Sequence, residues 1–398
     1  MNTTNNTYRI LTLIALSGEC STDAIPLLGI RPSYCEKLIT GLKEENYIKT
    51  HYKDRLRGYR LTSKGKKLLL SSHPDRFLFY LSGNSDTNRL RSDYARRIRL
   101  QNTSMVYAML MQSGIHLFRD EKPLIFQTGI PYPVSLPLPV FYHSREIKEL
   151  GTETVKINNS RIIGILLTKE CVYAVFYTGN TLMKWEYQTE IRLKAFLKHH
   201  INSGILSSSS QIQGFRPDAP IKALVIGSDM DTAVKLINSN GGYQRSYFHL
   251  DSSFDYFHYL PASPAGEIML QLLCDSMLQH TLRSILLSDL DPCNPDLGME
   301  HDAVWNHLPL QLAFDFDMLR LSRFHTALSF HGICGRLICF DFQKSALQQY
   351  FGNMVTIETI DLYKFERRFF TDGTEAYGKC QFKRSGVIPA FKPRFFLY

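Results

Sequence analysis

The chain has 398 residues, 44% hydrophobic and 21% charged, a globular balance that excludes a disordered chain and suits two or three domains. Its longest apolar runs, 162–167 and 172–177, fall far short of the roughly 20 residues that span a bilayer. The start of the chain lacks the basic-then-apolar pattern of a secretory signal, so a cytoplasmic protein with no membrane partner is expected.

The net charge of +9 is local. Residues 1–120 hold 19 Lys and Arg against 10 Asp and Glu, while the remainder holds 27 of each. That distribution points to a nucleic-acid-binding module on a neutral body. Eight scattered cysteines include no C-x-x-C pair, so neither a disulfide framework nor a zinc site is expected.

In chain order, residues 8–16 read as a short apolar helix ending at Ser17-Gly18. Ser21-Thr22-Asp23 offers an N-cap to a second helix carrying Ala24, Ile25, Leu27 and Leu28, which stops at Gly29 and tolerates Pro26 in its first turn. The next helix is predicted to start at Ser33, which has capping-box spacing to Glu36. Cys35, Leu38, Ile39 and Leu42 form its apolar face, and Tyr34, Lys37, Thr40 and Gly41 the opposite one. Residues 47–52 read as a strand, 55–58 as a turn, 59–62 as the return strand, and Ser63 as the cap of a further helix.

Two helices around a glycine turn, followed by a hairpin, predict a winged helix-turn-helix over residues 1–75. Its partner is expected to be double-stranded DNA, with the second helix in the major groove. Tyr34, Lys37 and Thr40 are expected to read bases, with Ser33 beside them. Lys53, Arg55, Arg57, Arg60 and Lys64 of the wing are expected to hold phosphates, supplying affinity without sequence information. Winged helices also mediate protein contacts, which is the competing reading of this module. The segment 58–65 resembles the wing-to-helix junction of bacterial winged-helix regulators. Residues 76–120 read as a basic linker or dimerisation helix of a homodimer, from which Arg89 and Arg96 extend the phosphate contacts.

From residue 121 strands and helices alternate, which predicts an α/β body, with α+β as the alternative. It is divided into a first half (121–205) and a second half or separate domain (206–398), with the polar run 207–220 as a loop or linker. Residues 224–231 form a strand, a glycine and a helix start without the spacing that cradles phosphates. His280, Arg283 and Trp305 echo tyrosine recombinases, yet the next tyrosine, Tyr350, lies far downstream. A degenerate restriction-endonuclease core is the enzymatic alternative: Glu170 precedes one strand, Glu186 and Gln188 follow it, and Glu146 is an extra helix acid. Only that reading calls for Mg²⁺, which would activate water; no other cofactor is expected, and a non-enzymatic protein is the primary reading.

The segments 144–149, 159–168 and 177–187 resemble those of the replication-relaxation proteins of plasmids and integrative elements. The resemblance covers roughly residues 5–270. It implies a winged helix ahead of an α/β domain, origin binding in replication or transfer of a bacterial mobile element, and a relaxase or replication machinery as partner. It brings no catalytic residue with it. A plain transcriptional repressor with a ligand-sensing body is the third reading.

Overall fold

The computed structural model describes residues 5–82, 94–122, 125, 138–147, 160–207, 218–244, 246–294 and 297–370. The chain begins with α1 (Asn6–Ser17), whose first turn is closed by the Asn5 side chain accepting from Thr7 N–H. After it come β1 (Cys20–Ser21), two 3-10 turns (Thr22–Ala24 and Pro26–Leu28), α2 (Pro32–Glu44), β2 (Ile48–Lys53), β3 (Leu56–Leu61), α3 (Ser63–Ser72) and α4 (Pro74–Leu81). The three strands form one antiparallel sheet in the order β1-β3-β2.

Four local expectations are corrected here. The helix expected around residues 24–28 is split into two 3-10 turns, because Pro26 has no N–H with which to continue the first. In α2, Pro32 occupies the first helical position and Arg31 caps without a side-chain bond, so the Ser33–Glu36 box does not form. The hairpin turn is Asp54-Arg55, both at positive φ (54° and 60°), the two-residue connection that matches strand twist; residues 56–58 belong to the return strand. Thr62, not Ser63, caps α3, by accepting from Gly65 N–H.

The next helix, α5 (Tyr94–Gln112), is the central element of the chain. Arg97, Gln101, Ser104 and Val106 to Leu110 are all buried along it. Its polar first half packs under the three-stranded sheet, where Ser104 Oγ accepts from Ser21 N–H at 3.0 Å. Its apolar end lies in the body, with Tyr107 edge-on to Phe141 at 5.8 Å. The helix expected to link domains or pair with a second copy is thus enclosed within its own chain. A helix buried on several sides shows no single apolar stripe, which is why its sequence reads as a linker.

The body is α/β and holds two mixed five-stranded sheets. The first comprises β4 (Val140–His143), the short α6 (Ser144–Ile147), β5 (Ile162–Leu167), β6 (Val172–Gly179), α7 (Tyr187–Ser207), β7 (Ile221–Gly227), α8 (Met230–Ile237) and β8 (Phe257–Pro261), followed by α9 (Pro264–Cys274). Strands β4, β5 and β6 form an antiparallel meander, and β7 and β8 add in parallel through helical crossovers. Strands β5 and β6 are buried along almost their whole length, both faces included, which is the pattern of a sheet covered on both sides.

The second sheet repeats this plan. After α10 (Ser276–Leu287) come β9 (Asp291–Pro292), β10 (Ala303–Trp305), β11 (Leu308–Leu312), α11 (Met318–His331), β12 (Gly335–Phe340), α12 (Lys344–Phe351), β13 (Val355–Ile360) and α13 (Leu362–Phe369). Again three strands form an antiparallel meander and two add in parallel, each through one helix. Strand order is sequential in both sheets. The 205/206 boundary drawn from the sequence falls within the last turn of α7, in the crossover of the first sheet; the change of sheet comes between α9 and α10.

The sheets meet at a hydrogen-bonded seam. Phe316 O accepts from Tyr259 N–H at 3.1 Å, and the buried Asp317 accepts from Phe257 N–H at 3.0 Å while capping α11. No helix among the described residues is long and apolar enough to cross a membrane.

Candidate nucleic-acid interface

Helix α2 presents its two faces as its sequence pattern requires. Ile39 and Leu42 are buried, whereas Ser33, Tyr34, Lys37 and Thr40 are exposed. These four residues follow one another at spacings of one, three and three, which keeps them on a single side of the helix. Tyr34 leaves 47% of its surface in solvent, a large aromatic with no packing partner in the core to account for it.

Beside this row stands the hairpin of β2 and β3. Lys53, Arg55 and Arg57 are exposed around its tip, and Tyr52 is 68% exposed. Two other expected phosphate cations are engaged by the protein's own groups, Arg60 partly buried and Lys64 exposed. Arg60 donates to Glu19 Oε2 through Nε at 2.8 Å and Nη2 at 2.6 Å. The Lys64 ammonium donates to Glu45 O at 2.9 Å and lies over the Tyr47 ring. Lys43, set over the Tyr59 ring at 5.1 Å, has its pKa lowered by partial burial and then by nearby Arg57. Arg96 is half-buried on α5, and Arg89 lies outside the described residues.

The residues that sequence reasoning missed sit under the hairpin. Glu19 is fully buried and meets Arg97, itself 1% exposed, at 2.8 Å. It also accepts from Gln101 Nε2 at 2.8 Å. Burial alone would raise the Glu19 pKa; hydrogen bonds from Arg97, Arg60 and Gln101 overturn that and leave it below the ordinary carboxylate value. Gly58 belongs to this arrangement, because a Cβ there would lie 2.7 Å from both Gln101 Nε2 and Glu19 Oε1. The one signal in the sequence is the polar row Arg97, Gln101 and Ser104 at i, i+4 and i+7 on a helix otherwise rich in apolar residues.

The body residues considered for metal chemistry are not brought together. Glu146 is 3% exposed and occupied by Lys122 at 2.8 Å and Arg119 at 3.9 Å, and it accepts from His143 N–H. Glu170 is exposed in the turn before β6, whereas Glu186 and Gln188 follow the strand's other end. The eight residues of β6 lie between Glu170 and Glu186 in the chain, and Glu170 is not among the residues that line the cleft holding Glu186. Neither β5 nor β6 carries an acid. Among the described residues no group of three or more His, Cys, Asp or Glu side chains is arranged to hold a metal ion.

The strand-to-helix turn at 227–229 has a packing explanation. A Cβ on Gly227 would meet the Tyr259 hydroxyl at 2.3 Å, and Asp229 caps α8 by accepting from Thr232 N–H. Arg283, one of the recombinase-like residues, pairs with Asp302, and Tyr350 packs against His325. Glu186 and Gln188 do line an open cleft of about 790 Å³ with Arg161, Lys184, His249 and Asp251. Its wall is anchored by Trp185, whose Nε1 donates to Asp251 Oδ2 at 2.7 Å.

Comparison with protein-family models, curated proteins and solved structures finds no match to this chain.

Proposed function

We propose that the N-terminal residues form a winged helix that binds double-stranded DNA in a sequence-specific way, with α2 in the major groove and the β2–β3 hairpin on the phosphates. The observation that carries this reading is the exposed row Ser33, Tyr34, Lys37 and Thr40 beside the exposed cations Lys53, Arg55 and Arg57. Base-reading chemistry on a helix and unsequestered charge on a neighbouring hairpin are the two parts such an interface needs. The concentration of the chain's whole charge excess in residues 1–120 supports the same reading.

The resemblance of segments 144–149, 159–168 and 177–187 extends the proposal to a role at an origin of replication or transfer of a bacterial mobile element. Mapping the protein's binding sites across a host genome tests it. Occupancy at an element's origin supports the role, and occupancy confined to promoters replaces it with the repressor reading. The cleft beside Trp185 favours that second reading to the extent that it takes a small ligand which alters DNA affinity.

A further inference from the structure

We infer that Arg97 is the positioning residue of the wing, fixing the phosphate-facing cations in place from inside the protein; this rests on the DNA-binding reading above. Strand β1 pairs with β3 only at Tyr59 and Gly58, so among the described residues the hairpin tip projects beyond the sheet with no third strand to steady it. Arg97 supplies that support. Its Nη1 donates to Lys53 O at 2.8 Å, and its Nη2 donates to Leu56 O at 2.9 Å and His51 O at 3.2 Å. One helical turn on, Gln101 Nε2 donates to Arg57 O at 3.1 Å.

The carbonyls held by α5 flank the Asp54-Arg55 turn, and two of them belong to Lys53 and Arg57, which carry the exposed charges. The guanidinium cannot itself meet a phosphate, because it is buried and turned onto Glu19 through Nε and Nη2. Its planar fork reaches a carboxylate and three carbonyls together, which the single point charge of a lysine does not reproduce. Holding the tip in one arrangement before DNA arrives lowers the ordering cost of binding. The other end of α5 is tied into the body, where Ser113 Oγ donates to Glu267 O at 3.3 Å. The wing is therefore registered against the body through one continuous helix.

The test uses the full chain and a duplex selected by the wild-type protein from a random pool. Arg97→Lys is expected to weaken binding about tenfold and to lower the salt slope by about 2, as if two wing cations were lost. Combined with Arg55→Ala it is expected to cost no more than the larger single change, whereas with Lys37→Ala the losses multiply. Hydrogen exchange in the DNA-free protein is expected to speed up at wing amides 52–57 in Arg97→Lys and to stay unchanged in Arg55→Ala. If Arg97→Lys does not fold, Gln101→Met removes the bond to Arg57 O and one bond to Glu19 while leaving the Arg97–Glu19 pair in place, with the same exchange signature expected. Wing exchange at the wild-type rate, or losses from Arg97→Lys and Arg55→Ala that multiply, overturns the inference while the DNA reading stands. A wild-type protein that selects no duplex overturns the DNA reading and the inference together.

Discussion

Lys122 and Glu146 form an ion pair at 2.8 Å in which the side chains are 0% and 3% exposed. The ammonium has all three of its donors used, since Leu117 O and Phe141 O accept from it at 2.7 and 2.6 Å. Burial pushes the Lys122 pKa down, and Glu146 opposes that shift. Removing one partner of such a pair leaves a charge stranded in the interior, at a cost of about 3–5 kcal/mol. Lys122→Met is expected to destabilise by that order in denaturant unfolding. Adding Glu146→Gln to it is expected to recover part of the loss; a double variant worse than the sum of the singles would show the pair is not the relevant unit.

The acids of the nuclease reading make a separate prediction. With Glu170 and Glu186 at opposite ends of β6 and Glu146 occupied by Lys122, a supercoiled plasmid incubated with the protein and Mg²⁺ or Mn²⁺ is expected to stay intact. Nicking that vanishes in Glu186→Gln would contradict this.

Glu190, 1% exposed, has its carboxyl pushed up to about 8 from 4.5 by burial, with Ser160 Oγ as a hydrogen-bond partner at 3.0 Å. Between those two values the folded state holds a proton that the unfolded state releases, so stability falls as pH rises through that window. Glu267, also pushed up to about 8 by burial, acts in the same direction. Glu190→Gln is expected to raise the midpoint of thermal unfolding at pH 8 and to change it little at pH 5. An equal effect at both pH values would remove ionisation as the cause.

Gly227 makes a steric prediction. Placing a methyl group against the Tyr259 ring, whose nearest atoms lie within 2.9 Å of it, forces β7 and β8 apart. Gly227→Ala is expected to cost about 1–3 kcal/mol of stability, measured by chemical denaturation. A neutral effect would indicate that Tyr259 moves freely.

What was legible in the sequence was local. The exposed row of α2 follows from helical spacing, and the β2–β3 hairpin follows from its two short strands around a polar turn. The misplaced cap at Ser33 and turn at 55–58 are errors of one to three residues, where Pro32 and the positive-φ pair Asp54-Arg55 overrode the spacing. The partners of Glu19 were not legible, because Arg97 and Gln101 lie some eighty residues away and read as part of a basic run. Glu146 looked like an available acid because nothing in its neighbourhood of sequence announces Lys122. The repeated sheet was hidden for another reason: it resides in strand order and direction, which no shared motif marks.

The central claim is the division of labour between α2 and the wing. It is tested most directly by titrating the selected duplex and a scrambled one against wild type, Lys37→Ala and Arg57→Ala over a range of salt. The account predicts that Lys37→Ala loses the preference between duplexes, whereas Arg57→Ala weakens both alike and lowers the salt slope by about 1. Equal losses on both duplexes for both variants, with the same salt slope, would contradict it.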